Sequence, residues 1–489
     1  MLRSKFHERK YAKKKDKLKQ MAELTARAEV LNREEEGFIE ADEGELTHTI
    51  RQTDIANAVD LASASKHFDL NLQQFGPYKL AYTNNGRHLL LGGKKGHIAS
   101  LDWQTKKLHC EINVMENIRD VCWLHTENLY AVAQKHYTYV YDNTGTELHC
   151  VKTLPEVNSL EFLPRHFLLV AGSKNSYLNY LDVSIGQNVA SFCTKSGSLD
   201  VMCSNPANAI IYTGHGNGTV SLWSPNDKEP LVKLLCHPSS VQGLAINDTG
   251  TFMYTTGLDR RLRVWDVRMY RQLHAYSLPF GLSHVTVSQR NVVACAIGNT
   301  VQVFNDTHLG TTKEPYLVHR APGPVSDIEF VPYEDVLGIG HSNGFTSMIV
   351  PGCGEANVDT LRANPYETKS QRKEREVKQL LDKLQPDLIC LDPNDINRVN
   401  ETLLEEVMEE RKKLLYVRPV DIKYTPKHKM KGRSQGKRLE HRKNTVKGEI
   451  RLERSKNLEM VEKEFNVRGG AEKSEPPKKK SVLDRFAKK

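Results

Sequence analysis

The stretch Asp259-Arg-Arg-Leu-Arg-Val-Trp-Asp266 decides the fold. A turn residue is followed by alternating apolar positions and then by an aromatic residue and an Asp. That alternation is the period of a half-buried strand. The same ending recurs at Leu101-Asp102, Tyr141-Asp142, Leu181-Asp182, Trp223-Ser224 and Phe304-Asn305, and in degenerate form at Ile349-Val350. Successive spacings are 40, 40, 42, 42, 39 and 45 residues. Four short strands repeating at this period are the signature of a β-propeller, here an all-β ring of seven blades. A β-sandwich or an α/β fold would not repeat in this way.

Each unit carries the same internal grammar. An alternating strand (Leu160-Glu-Phe162, Leu244-Ala-Ile246, Ile328-Glu-Phe330) precedes a turn such as Asn84-Asn-Gly86 or Asn247-Asp-Thr-Gly250. These turns offer the positive φ that a tight hairpin needs. The large residue ending the third strand is expected to pack between blades, with the following Asp bonding turn backbone. Asp120, Asp200 and Asp327 are read as structural residues that fix a blade internally. His215 and His341, in Gly-His-Gly-Asn-Gly and Gly-His-Ser-Asn-Gly, are turn residues of the repeat and weak metal candidates. The last blade needs a partner for its open edge. The alternating stretch Lys66-His-Phe-Asp-Leu-Asn-Leu72 is predicted to supply it and so staple the ring shut.

Outside the ring the composition changes. Residues 1–65 read as a charged helical extension and linker, with a helix over about 4–36 and, over 37–65, acidic or small residues forming linker with short helical turns. Residues 66–352 form the propeller and 353–416 a helical post-propeller domain. Its first helix begins near Ser370, bears the apolar stripe Val377, Leu380, Leu381 and Leu384, and stops at Pro386. A second helix is expected from about Asp395 to Tyr416. Packing against the propeller is the plain reading of this domain, and docking another protein the sharper one. Residues 417–489 read as a basic, largely disordered tail, because high charge and low hydropathy leave too little apolar surface to fold. Pro419, Pro426, Gly432 and Gly436 would interrupt any long helix early in this segment.

Net charge is +9, yet 23 Lys and Arg against 10 Asp and Glu lie in residues 416–489, so the other 415 residues are slightly acidic. Lys427, Lys429, Lys431, Arg433, Lys437, Arg438, Arg442 and Lys443 fall within seventeen residues. A flexible cation-rich segment suits RNA, since each phosphate contact releases counterions. Solvated charge or a nuclear import signal is the bland alternative, and Pro476-Pro-Lys-Lys-Lys480 resembles such a signal. The tail holds few aromatic residues, so phosphate contact rather than base stacking is expected. Nine single cysteines without C-x-x-C spacing suggest reduced thiols. No apolar run is long enough to span a membrane, and the charged first thirty residues do not read as a secretory signal.

No phosphate-binding loop, nucleophile elbow or zinc-protease motif occurs, so no catalytic residue, metal, cofactor or small-molecule substrate is assigned and the chain is read as a non-enzyme. A protein-only adaptor, such as a ubiquitin-ligase substrate receptor or a chromatin-binding propeller, is the competing class.

Phe75-Gly-Pro-Tyr78, Asn85-Gly-Arg-His-Leu-Leu-Leu-Gly-Gly93 and Lys95-Gly-His-Ile-Ala99 precede the propeller's second blade. Asn364-Pro-Tyr-Glu-Thr-Lys369, Gln371-Arg372, Lys383-Leu384 and Leu391-Asp-Pro393 follow its last. Together they resemble the nucleolar WD-repeat proteins of the small-subunit processome that carry a distinctive domain after the propeller (BING-four-type). Lys431-Gly-Arg-Ser434 resembles that family's basic tail motif. The resemblance implies a non-catalytic scaffold in the nucleus and nucleolus, needed for early pre-rRNA processing and 18S rRNA maturation in 40S subunit biogenesis. It implies pre-ribosomal RNA, a box C/D small nucleolar ribonucleoprotein and other processome proteins, including neighbouring propellers, as partners. Asn364, Pro365, Tyr366, Lys369, Gln371 and Arg372 are the partner-docking residues it suggests.

Overall fold

The computed structural model describes residues 4–29, 32, 35–42, 44–281, 283–310, 314–360, 363–391, 401–415 and 434–468. Contacts divide the chain into two units, 1–393 and 394–489. The first holds seven antiparallel four-stranded sheets. Six are contiguous, at residues 78–113, 120–155, 157–193, 201–235, 241–277 and 284–320. The seventh joins residues 325–349 to Phe68–Asn71. First strands of successive blades touch all the way round, which closes the ring about a central channel.

The staple forms as the alternation of 66–72 predicts. Phe68 pairs with Ser347 and Leu70 with Phe345, antiparallel to the strand Gly344–Ile349. Phe68 and Leu70 turn inward, and the Phe68 and Phe345 rings lie 5.7 Å apart. The last blade therefore has no open edge of unpaired backbone on that side.

Trp223 and Trp265 at the ends of third strands are buried, and both belong to one apolar cluster running through blades three to five. In blade five, His237 Nε2 lies 2.9 Å from Thr255 Oγ1 and its Nδ1 3.0 Å from Asp259, while Trp265 Nε1 donates to the same Thr255 at 3.0 Å. His215 is likewise bound to Thr213 and Ser221, and His341 to Thr346. These histidines complete internal hydrogen-bond networks. Among the described residues no group of three or more His, Cys, Asp or Glu is arranged to hold a metal. The turn aspartates bond backbone as expected: Asp102 accepts from Thr105 N at 3.1 Å and Asp266 from Arg268 N at 2.9 Å. Gly86 and Gly250 have φ of 68° and 72°. A Cβ on Gly86 would also meet the Pro332 carbonyl at 2.1 Å, where the first blade abuts the last.

Asp120 and Asp327 require a correction. Each reaches across to the next blade: Asp120 accepts from Leu160 N at 2.8 Å and Asp327 from Leu80 N at 3.1 Å, while within its own blade Asp327 bonds only the adjoining Ile328 N at 3.2 Å among the hydrogen bonds of the described residues. The first strands lie side by side in the ring, so their channel-facing carboxylates meet a neighbour's backbone before their own turn. Asp200 accepts from Asn158 of the preceding blade and from Ser198. None of the nine cysteines forms a disulfide.

The helices are α1 (Lys5–Glu29), α2 (Gln52–Ala58), α3 (Leu61–Ala64), α4 (Lys369–Leu381), α5 (Glu401–Leu415) and α6 (Ser434–Arg468). α5 and α6 contact each other in the second unit. α1 is shorter than the periodicity suggests. Residues 37–65 carry the short helical turns Thr47–Thr49, α2 and α3, and this segment packs on the ring. Gln52 exchanges two hydrogen bonds with the Ile349 backbone, and Ile55 is buried among Phe330, Val350 and Cys353. The tail is less irregular than its composition predicts. Gly436 sits in the first turn of the 35-residue α6 instead of breaking it. Beyond it come Lys, Arg, Glu and Leu, which favour helix, with no proline, and an internal Gly costs only about 1 kcal/mol.

Candidate partner and nucleic-acid interfaces

One face of the propeller carries the turns between first and second strands and between third and fourth strands. Residues 363–391 run across this face as a strap over blades one to four. It begins at Arg87, which donates to the Pro365 carbonyl (2.7 Å), pairs with Asp102 (3.0 Å) and lies 5.4 Å above the Tyr366 ring. Asn364 accepts from Tyr366 N at 2.9 Å, turning the chain toward α4. Thr368 and Gln371 then cap α4 reciprocally, a box that satisfies two otherwise orphaned N–H groups.

α4 lies charged side down. Arg372 pairs with Glu127 and donates to Asn128, and Glu376 lies 3.1 Å from His125. Burial alone would raise the Glu127 carboxyl, but the His88 hydrogen bond and the charges of His88 and Arg372 hold it at about 2. Lys383 pairs with Asp182 and donates to Ser184 at 2.7 Å. Despite burial, hydrogen bonds donated to Asp182 by Lys383 and by the Ser184 hydroxyl and N–H keep it below the usual carboxylate range. Leu384 N donates to Arg165 O at 3.0 Å. The strap ends at blade four, where Ser224 Oγ donates to Ile389 O at 2.9 Å, Asn226 to Asp387 O and Asn208 to Leu391 O. Ile389 is only 2% exposed and joins the cluster of Trp223 and Trp265.

Of the six docking residues read from sequence, Asn364, Pro365, Tyr366, Gln371 and Arg372 are thus committed to contacts within the chain. Lys369, the first residue of α4, is exposed. The apolar stripe read as a packing face points the other way. Val377, Leu380, Leu381 and Leu384 are all exposed, because the propeller face beneath α4 offers carboxylates and histidine rather than a hydrophobic groove. Arg87, Glu127, Asp182 and Lys383 were not singled out as anchors. Their signal was available only in part: Arg87 and Lys383 lie inside the stretches that carry the family resemblance.

Of the eight tail cations, Lys427, Lys429, Lys431 and Arg433 lie outside the described residues. Lys437, Arg438, Arg442 and Lys443 fall in α6, with Arg438, Arg442 and Lys443 exposed. Arg438 and Arg442 are one turn apart and share a face. Such a row can neutralise successive phosphates but reads no base.

Residues 315–392 match the BING4CT (NUC141) domain and residues 228–266 the WD domain, G-beta repeat. The first match takes in three of the four strands of blade seven as well as the strap, so that domain and the ring share a blade. The second ends on Trp265-Asp266 and contains the His237–Thr255–Trp265 network. The chain is 63% identical to WD repeat-containing protein 46 of Caenorhabditis elegans, over 99% of this chain and 84% of that protein. It is 48% identical to the Homo sapiens protein of the same name, over 94% and 76%. It is 43% identical to U3 small nucleolar RNA-associated protein 7 of Saccharomyces cerevisiae, over 79% and 73%. With a strapped seven-bladed ring, a matching C-terminal domain and similarity along nearly its whole length, the chain belongs to the family of WD repeat-containing protein 46, the WD-repeat proteins with a BING4CT domain.

Proposed function

We propose that the protein is a non-catalytic scaffold of ribosome biogenesis, working in the nucleolus within the small-subunit processome and needed for early pre-rRNA processing toward 18S rRNA. The propeller is its protein-contact body, and the basic C-terminal segment holds RNA. Supporting this is similarity over most of the chain to a protein whose name records association with U3 small nucleolar RNA. The observation that carries the RNA assignment is the division of charge, which gathers the excess of cations in the C-terminal segment and leaves the ring, with 23 Lys and Arg against 23 Asp and Glu in residues 66–352, without net charge. Pre-ribosomal RNA and a box C/D ribonucleoprotein are the partners this reading names.

The test replaces Lys427, Lys429, Lys431, Arg433, Lys437, Arg438, Arg442 and Lys443 by Gln in the full chain. Each lost phosphate contact removes about 0.7–0.9 from the slope of log K against log salt, so a loss of several is expected while the ring's melting is unchanged. In cells, crosslinks to pre-rRNA and to its guide small nucleolar RNA should disappear together with nucleolar retention. If the parent chain gave no such crosslinks, the RNA role would fail and a protein-only adaptor would take its place.

A further inference from the structure

The basic segment is not the chain's only cationic surface. Every position from Lys5 to Lys19 of α1 is exposed. Eight of these fifteen residues are Lys or Arg and two are acidic, leaving +6. Lys5, Arg9, Lys13 and Lys17 recur every fourth residue and so form one row along the helix, with Lys10 and Lys14 beside it. At a rise of 1.5 Å per residue the row is about 18 Å long. Like charges at this spacing repel and oppose the helix that carries them. A polyanion laid along the row would reverse that sign.

Two aromatic residues stand among these cations. Phe6 is 69% exposed and Tyr11 61%. Phe6 lies three and four residues from Arg9 and Lys10, on the cationic side of the helix. An exposed ring beside a row of cations fits a nucleic acid, whose unpaired bases stack on aromatics while its phosphates meet the lysines. A bilayer surface calls for segregated apolar and charged faces. Here Phe6, Leu18 and Met21 are interleaved around the helix with Lys10, Lys14 and Lys17.

We propose that α1 is a second RNA-binding element, taking a single-stranded or junction segment whose phosphates lie along Lys5, Arg9, Lys13 and Lys17 and one of whose unpaired bases stacks on Phe6. This rests on the reading that the protein binds RNA, and extends it to the opposite end of the chain.

The experiment uses the full chain with a 20-nucleotide single-stranded RNA and a blunt RNA duplex, measuring binding by fluorescence anisotropy across a salt titration. Replacing Lys5, Arg9, Lys13 and Lys17 by Gln, whose helix propensity is close, should lower the single-strand salt slope by about 3. Phe6→Leu should weaken single-strand binding by roughly 5- to 100-fold with no change in slope, and leave duplex binding unaltered. Circular dichroism checks that helix content is kept. The tail-neutralised chain, assayed alongside, separates the two ideas. If it loses slope while the α1 variants behave as the parent, the α1 proposal is overturned and the tail assignment stands. If only the α1 variants lose RNA, the tail assignment fails instead. Loss of flotation with phosphatidylserine vesicles but not of RNA binding in the quadruple variant would also overturn the proposal in favour of a membrane surface.

Discussion

Glu161 shows how the ring constrains a single residue. It lies on the first strand of blade three and turns into the channel, where Ser204 of the next blade donates to it at 3.2 Å. Burial, reinforced by the Asp120 charge and only partly offset by that hydrogen bond, pushes its carboxyl up to about 8. A folded-state value raised above the ordinary 4.5 means the proton is held more tightly in the native ring. Its contribution to stability is therefore complete below about pH 4.5 and is lost as pH rises through 8. Glu161→Gln keeps the shape and removes the ionisation. Because Glu161 is partly solvent-accessible, we discount the full shift and expect the variant to be more stable than the parent by about 1–2 kcal/mol at pH 9, with no gain at pH 5. His215 works in the opposite direction. Burial and the Lys233 charge lower it to about 4, so its contribution is lost as pH falls from 6.5 toward 4. Urea unfolding of the two chains at pH 5, 7 and 9 checks the prediction for Glu161. Parallel curves would show that its carboxyl does not ionise at the cost of folding.

At the scale of an element, the strap is held by two kinds of bond that should fail separately. Arg372→Ala leaves the Glu127 carboxylate with His88 and Asn85 as its remaining partners. Removing one member of a partly buried ion pair of this sort should cost about 1–3 kcal/mol. Ile389→Ala empties a site in the Trp223–Trp265 cluster and should cost about 2–4 kcal/mol. The sites lie over different blades, so the double variant should show the sum to within about 0.5 kcal/mol, measured by urea unfolding. A clearly smaller loss in the double variant would mean that the strap detaches as a whole once either end is released. The strap also shows where reading by sequence runs out. Blade number and the closing strand were legible because a period of two says which side of a strand is buried, whatever lies opposite. The facing of α4 was not, since Val377, Leu380, Leu381 and Leu384 keep a core-like period. Which side turns inward was decided by Glu127 and His125, some 250 residues earlier. α6 was missed for a local reason: Gly436 was read as a stop, but in a first turn it interrupts nothing.

For the whole molecule, the ring depends on what lies across one of its faces. Residues 36–65 cover that face at blades six and seven, through Gln52 and Ile55, with Glu36 paired to Arg290. The strap covers it over blades one to four. Both segments fill holes in the blade cores as well as covering turns, since Ile55 and Ile389 each belong to a buried cluster of blade residues. A propeller cut at the limits of its repeats, residues 66–352, would keep all 28 strands of the described residues yet expose both holes. It would also leave Glu127 without Arg372 and Asp182 without Lys383. Several kilocalories are at stake, and for a chain of this size each shifts melting by about 2–4 °C. The fragment 66–352 should therefore melt on the order of 10 °C below the fragment 36–391, and bind a hydrophobic dye before it melts. Scanning fluorimetry of the two fragments decides the matter. Equal melting temperatures would mean that the ring is self-sufficient and that its extensions are only passengers on it. The expected gap would mean instead that the segments giving the family its identity are also those that make its propeller a stable body for carrying charged arms.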